Sequence, residues 1–319
     1  MMTDKDKYRL LCSREKSIPV FSRDWWLDIV CGETKWDVVL IEEKGEILAA
    51  MPLYIPHRGV VSMPDYTQTM GPWFAPEPTD AKYATLLGRR QALAARFTEA
   101  LKAYPYFLQN FHYRITDWLP FYWAGYGQTT RYTYIIDPLN RDETELWSAM
   151  SPQIRRNITK ARDKEAVCLR KGIPAEDFLR VQALTFKRQG RRVPGNRGVL
   201  LALIDTSRKR RQGDLWGAYD AEGRLHAAIF LVWQESSAYY LAGGGDPSLR
   251  QSGAHSLLLW EAIRFAAGRC ERFDFEGSMV PGVERFFREF GATQMPYFTI
   301  TKGRLGLVRR VGYKLMKYV

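Results

Sequence analysis

The stretch Phe273–Gly291 holds the residue types that proton transfer needs. Phe273 and Phe275 alternate with Asp274 and Glu276, which is the period of a strand with one apolar face and one carboxylate face. Two carboxylates on one face can accept, hold or share a proton, the work of a general base. Gly277 and the pair Pro281-Gly282 break the strand. Beyond them Val283, Phe286, Phe287 and Phe290 recur at helical spacing, with Arg285 and Arg288 off the stripe and Gly291 where a C-cap falls. A strand end that leads into a helix N-terminus is a frequent seat for a small polar site. A core strand with a solvated polar face has the same alternation, so both readings stand on this stretch alone.

Three other stretches carry chemistry. In Ser151–Arg162, Ile154, Ile158 and Ala161 share one helical face, while Arg155, Arg156, Lys160, Arg162 and Lys164 spread over the rest. Guanidinium forks match phosphate oxygens; the plainer alternative is a solvated cationic face. Gly243-Gly244-Gly245 closes a strand that also carries Tyr240, and Asp246–His255, with Arg250 and Gly253, leads from it into a helix. Backbone N–H groups at such a junction can hold an anion. Tyr66 and Gln68 lie in an aromatic, glycine-containing loop between His57 and Trp73. That loop either lines a groove or packs on the hairpin before it.

The elements that must position these residues follow from pattern. The 319 residues suffice for two domains of ordinary size, and 46% hydrophobic with 13% aromatic content indicates a globular chain. No apolar run is long enough to span a bilayer, and Met1–Arg23 lacks a signal-peptide core, so a cytoplasmic location is the expectation. The net charge of +12, from 47 basic and 35 acidic residues, favours an anionic partner without selecting nucleic acid, membrane or phosphorylated substrate. Cys12, Cys31, Cys168 and Cys270 are far apart and lack metal spacing. We expect no structural zinc and no disulfide frame.

Taken in order, the first part reads as a helix over Phe21–Cys31, a hairpin turning at Glu43-Lys44-Gly45, a helix over Ala81–Ala103 and two strands. Asp137-Pro138 is the expected boundary. Two consecutive helices follow, separated by Pro152, then a strand, two more helices around a basic loop at Gly190–Gly198, a three-stranded meander ending at Ala242, a helix over Ser256–Gly268, and a closing strand, Tyr297–Lys302. Leu305–Val319 has an apolar stripe, and Lys302, Arg304, Arg309, Arg310, Lys314 and Lys317 stand with no acid among them. This predicts a basic amphipathic helix that either docks by its apolar face or lies on an anionic membrane.

Asp274-Phe275-Glu276-Gly277, the later Phe286-x-x-x-Phe290-Gly291, and above all Arg155-Arg156-Asn157-Ile158-x-Lys160-Ala161 resemble the FemABX-like branch of the GNAT acyltransferase superfamily. The resemblance covers about Leu139–Thr301 well and the first part only by order of elements. It departs from the pattern at Phe287, where a lysine is expected; Arg285 and Arg288 are the nearest cations. In CoA-dependent GNAT enzymes the strand–helix junction carries Arg/Gln-x-x-Gly-x-Gly/Ala. Arg250 and Gly253 match, but His255 replaces the final small residue and is expected to crowd a pyrophosphate.

The resemblance implies an α/β fold of tandem GNAT-like domains with central, mostly antiparallel mixed sheets flanked by helices. The expected domains are residues 1–138, a degenerate half, 139–301, the acyltransferase half, and 302–319, the basic helix. It implies an N-acyltransferase moving an aminoacyl or acyl group from an activated carrier to an amine, with a peptidoglycan precursor as acceptor if the family's substrate carries over. Asp274 or Glu276 would orient or deprotonate the amine, and Arg288 or the amides near Gly244 would serve the oxyanion. Tyr66, Gln68, Arg155, Arg156, Lys160, Tyr240, Gly244 and Arg285 are the substrate-binding candidates, and Arg250 and Gly253 the donor-binding ones. No tightly bound cofactor and no metal are expected; the donor is aminoacyl-tRNA or acyl-CoA as co-substrate. The expected partners are a nucleotide-linked or lipid-linked acceptor, tRNA, and a membrane inner face touched through the C-terminal helix. The rivals are an acyl-CoA-dependent acetyltransferase of a small amine or amino sugar, and a non-catalytic basic binding module.

Overall fold

The protein is described from a computed structural model, and the structure describes residues 2–77 and 80–304. The chain divides into two compact units: residues 2–131 with 296–304, and Tyr132–Met295. The predicted helix over Leu305–Val319 lies outside the described residues.

The first unit opens with α1 (Asp4–Arg14), which the sequence reading did not foresee, because only Tyr8, Leu11 and Cys12 of it are buried. Its signal was the capping box: Thr3 accepts from the Asp6 N–H while the Asp6 carboxylate accepts from the Thr3 N–H. After α2 (Asp24–Cys31) come β1 (Trp36–Glu43) and β2 (Glu46–His57), an antiparallel hairpin. It turns through Lys44 and Gly45, both with positive φ as a tight hairpin turn requires. β3 (Val60–Ser62) and the two-residue β4 (Trp73–Phe74) flank the stretch read as loop, and β3 itself is a strand inside it. Then come α3 (Tyr83–Ala100), β5 (Tyr106–Asn110) and the short α4 (Leu119–Trp123). Phe97, Phe107, Phe111 and Phe121 centre this unit's core.

The unit boundary falls within β6 (Gly127–Ile136). The second unit continues with α5 (Glu143–Ala149) and α6 (Pro152–Thr159), separated as Pro152 predicts. Ser151 caps α6 and Pro152 takes the first turn, where its missing N–H costs nothing. A single π-helical turn, Lys160–Lys164, extends α6. β7 (Cys168–Lys171), α7 (Ala175–Arg188), α8 (Arg197–Lys209), β8 (Gly213–Tyr219), β9 (Leu225–Gln234), β10 (Ser237–Gly245), α9 (Ala254–Ala267), β11 (Arg272–Asp274), α10 (Pro281–Arg288) and β12 (Thr293–Lys302) follow, β12 running past Met295.

The sheet of this unit runs β6-β11-β10-β9-β8-β7. All neighbours are antiparallel except β10 and β11, which pair in parallel over Ser237–Tyr239 and Arg272–Asp274 alone. A bulge then shifts β10 between Tyr240 and Ala242. Alternation assigns the two faces. Trp216, Ala218, Ile229, Ala238, Phe273 and Phe275 join α5, α6, α9 and α10 in one core. Asp274 and Tyr239, paired across β11 and β10, point to the opposite face, where α7 packs on β9 and β10. The mixed, mostly antiparallel α/β architecture expected from the sequence is the one observed.

Candidate functional site

The end of β11 delivers the two carboxylates. Asp274 is fully buried because its strand neighbours are core residues on both sides. Its Oδ1 accepts from the Thr133 hydroxyl at 2.5 Å and from the Glu276 N–H at 2.7 Å. Its Oδ2 is enclosed without a hydrogen-bond partner, and so is Glu276 Oε1. Burial pushes the Asp274 carboxyl up to about 6 against the pull of those two hydrogen bonds. Burial, and then the neighbouring Asp274 charge, push Glu276 well above the ordinary carboxylate range. The backbone is strained at the same place: Glu276 has φ 58° without being glycine. Gly277 follows at φ 62°, and a Cβ there would stand 2.2 Å from the Tyr132 carbonyl oxygen. Together these make a compact, proton-holding pair with spare acceptor capacity.

The helix after it does not aim its cations at the pair. Phe287, at the position where a lysine was expected, packs into the core and stacks on Phe275 at 5.2 Å. Arg285 and Arg288 lie on the outer face, mostly exposed, and pair along the helix with Glu289 at 3.0 Å and Glu284 at 3.4 Å.

A second assembly joins two stretches that lie far apart in sequence. Gly253, at φ 77° and N-terminal to α9, lies so close to α6 that a Cβ would meet the Asn157 carbonyl oxygen at 2.3 Å. Lys160 Nζ donates to the Gln251 carbonyl at 2.7 Å and pairs with Glu165 at 3.4 Å. Arg155 Nε is enclosed without a partner, whereas Arg156 is exposed and donates to Gln153 Oε1 at 2.9 Å. An open groove of about 650 Å³ runs along this helix, lined by Trp147, Arg155, Arg156, Asn157, Lys160 and Lys164. Arg250 is exposed on the turn Pro247–Ser252.

His255 corrects a sequence expectation. Its ring turns inward, Nε2 lies 3.1 Å from the Tyr240 hydroxyl, and burial holds the imidazole down at about 4 and therefore neutral near pH 7. Phe286 and Phe287 pack edge-on against His255 and Tyr240. The side chain that takes up space beside Gly253 is thus not His255; the backbone of α6 does so. Gly244 has a packing role: a Cβ there would lie 2.5 Å from Gln182 Cα, so the glycine lets α7 approach β10. Its neighbour Gly245 gives its N–H to Thr185 Oγ1 at 2.8 Å, which removes that amide as an oxyanion donor.

Tyr66 and Gln68 belong to the first unit. Tyr66 is half-buried at φ 54°, and burial pushes its phenol up to about 12. The Gln68 carbonyl accepts from Asn110 Nδ2 at 2.9 Å.

Two features escaped sequence reading. His226 Nε2 lies 2.9 Å from Asp220 Oδ2, and its Nδ1 lies 2.9 Å from Ser252 Oγ. All three residues are buried. Burial alone would raise Asp220, but the hydrogen bonds from His226 and Arg224 outweigh it and hold the carboxyl well below its usual range. The relay pins the turn before α9 to β9. Gln182 is the second: it is 4% exposed with Oε1 unpartnered. Its signal was a polar residue on the stripe Phe178, Val181, Gln182 and Thr185 of α7.

Residues 148–288 match the acetyltransferase (GNAT) domain family. No curated protein matches the sequence. Among solved structures, FemX is similar over 93% of this chain and 96% of its own, at 12% identity and a TM-score of 0.67. L-PGS from Bacillus licheniformis is similar over 99% and 98%, at 12% identity and 0.57. A conserved protein of unknown function from Bacteroides thetaiotaomicron is similar over 95% and 98%, at 11% identity and 0.56.

Proposed function

Starting from a GNAT acyltransferase domain at residues 148–288, in a chain of FemABX-like fold, we propose that the protein is an N-acyltransferase that moves an aminoacyl or acyl group from an activated carrier to a primary amine. The observation that carries this reading is the buried Asp274–Glu276 pair, with two enclosed, unpartnered carboxylate oxygens and Asp274 raised to about 6. An amine attacks only when neutral, and a carboxylate that titrates just below neutrality is matched to taking its proton. The amine nitrogen forms a bond to the carbonyl carbon, its proton passes to the pair, and the carrier leaves with the bonding electrons. No covalent enzyme intermediate is needed.

The groove along α6 is the proposed seat for the phosphates of a nucleotide-linked or lipid-linked acceptor. Arg155, with an unpartnered Nε, and the exposed Arg156 and Lys164 offer the donors. For the donor we favour aminoacyl-tRNA over acyl-CoA, because the space beside Gly253 is filled by α6 and the Gln251 carbonyl is held by Lys160.

The test pairs acetyl-CoA, a long-chain acyl-CoA and charged tRNA with a nucleotide-linked muropeptide, and follows transfer by mass. Transfer from charged tRNA that Asp274→Asn abolishes is the expected result. Transfer from a CoA thioester alone would overturn the donor assignment, and silence with all three donors would overturn the acceptor or the activity.

A further inference from the structure

The sequence Trp118-Leu119-Pro120-Phe121-Tyr122-Trp123 is too apolar for a five-residue helix to hide. Pro120 and Phe121 of α4 face inward, and Phe121 packs edge-on against Phe111 and Tyr126. Leu119, Tyr122 and Trp123 are left 42%, 59% and 64% exposed. Solvent-exposed rings of this size, side by side, are costly unless something covers them. Tyr and Trp join an apolar body to a polar tip, the combination that settles at the boundary between lipid headgroups and acyl chains.

What lies beside this knob narrows its partner. Lys302 Nζ donates to the Ala124 carbonyl at 2.8 Å, immediately after α4, and its ammonium sits 4.6 Å from the Tyr126 ring centroid. The end of β12 is therefore fixed against the knob. From there the chain continues through Arg304 to Arg309, Arg310, Lys314 and Lys317 with no acidic residue. The acid nearest to α4 in sequence, Asp117, is already engaged by Gln91 Nε2 and the Leu119 N–H. An aromatic knob at the root of a purely cationic segment complements an anionic, apolar-cored surface. Among the described residues no helix is long and apolar enough to cross a membrane, so the contact is peripheral.

We infer that α4 and the basic segment rooted beside it form a docking surface for an anionic lipid bilayer, with Tyr122 and Trp123 inserted at headgroup level. This surface belongs to the first unit and does not depend on the proposed acyl transfer.

The experiment is co-sedimentation of the full-length protein with phosphatidylcholine vesicles and with vesicles in which part of that lipid is replaced by phosphatidylglycerol. Binding is expected only to the anionic vesicles, and it should collapse when salt is raised to about 1 M, where the Debye length falls to about 3 Å. Tyr122→Ser combined with Trp123→Ser should weaken binding about tenfold or more, the effect of one sizeable side chain leaving an apolar environment. Arg309→Glu combined with Arg310→Glu should do the same, and Leu10→Ser, an equally exposed apolar site on α1, should change nothing. Circular dichroism checks that each variant is folded. Absence of binding to anionic vesicles, equal binding by the Tyr122/Trp123 variant, or a concentration-dependent dimer abolished by that variant would each overturn the inference.

Discussion

The second unit contains two strand-to-helix junctions, β10 to α9 and β11 to α10, and they treat their polar groups in opposite ways. At the first, nearly every polar side chain near the turn is answered. Asp246 caps Ser248, Lys160 takes the Gln251 carbonyl, Ser252 closes the relay to His226 and Asp220, and His255 meets Tyr240. At the second, a buried carboxylate oxygen on each of two neighbouring acids has no partner, on a backbone that takes two positive φ values in succession. An enclosed, unmatched polar group costs about 1–3 kcal/mol, and strained backbone adds to that cost. Folding tolerates this at one junction and avoids it at the other. The satisfied junction builds the scaffold, and the unsatisfied one is where a substrate's own donors can complete the hydrogen bonding.

The largest expected effect breaks that contrast at the acidic junction. Asp274→Asn should lower kcat/KM by roughly 10²–10⁴, the contribution of a positioned general base, while making the fold more stable at neutral pH. Because Asp274 is raised from 3.8 to about 6 on folding, its proton stabilises the native state fully below the unfolded value. That contribution is lost as pH rises through the folded value, about 3 kcal/mol over the window. Denaturation midpoints of the variant and the wild type should therefore coincide near pH 3.5 and separate by pH 7. A separation independent of pH would refute the buried-carboxylate account.

Next in size is Gly277→Ala. The positive φ and the collision with the Tyr132 carbonyl should cost about 2–4 kcal/mol in chemical denaturation; a loss below about 1 kcal/mol would mean the turn is free to relax. His226→Ala probes the satisfied junction. It strips a partner from buried Asp220 and from Ser252 and should destabilise by about 2 kcal/mol. The pH profile of activity should keep the inflection set by Asp274, and a moved inflection would show that the two junctions are not separable. Smallest is the paired Arg155→Ala and Arg156→Ala change, which should raise the acceptor KM about tenfold and leave kcat in place if the groove only anchors phosphate. A fall in kcat with unchanged KM would move these arginines to the reacting centre.

Much of the scaffold was legible because it is local. The alternation of Phe273 and Phe275, the change to helical spacing after Pro281, the hairpin turn at Lys44-Gly45 and the break at Pro152 each follow from a few adjacent residues, and each is observed. Helix α1 was missed although Thr3 and Asp6 announced it, since its buried stripe is thin. The strand β3 was missed because three residues carry no period.

The sequence by itself determined which residues are available: two carboxylates on one strand face, a cationic helix, a glycine before α9, and aromatic residues crowded into a short helix. It did so because periodicity and turn chemistry act over a few bonds. Tertiary structure alone decided which of them have partners. Thr133 meets Asp274 across 141 positions and Lys160 meets Gln251 across 91, while His255 turns inward to Tyr240 instead of standing in the helix mouth. Burial, and with it the raised carboxyl of Asp274, depends on what the other strands and helices place around a group, and no local pattern encodes that.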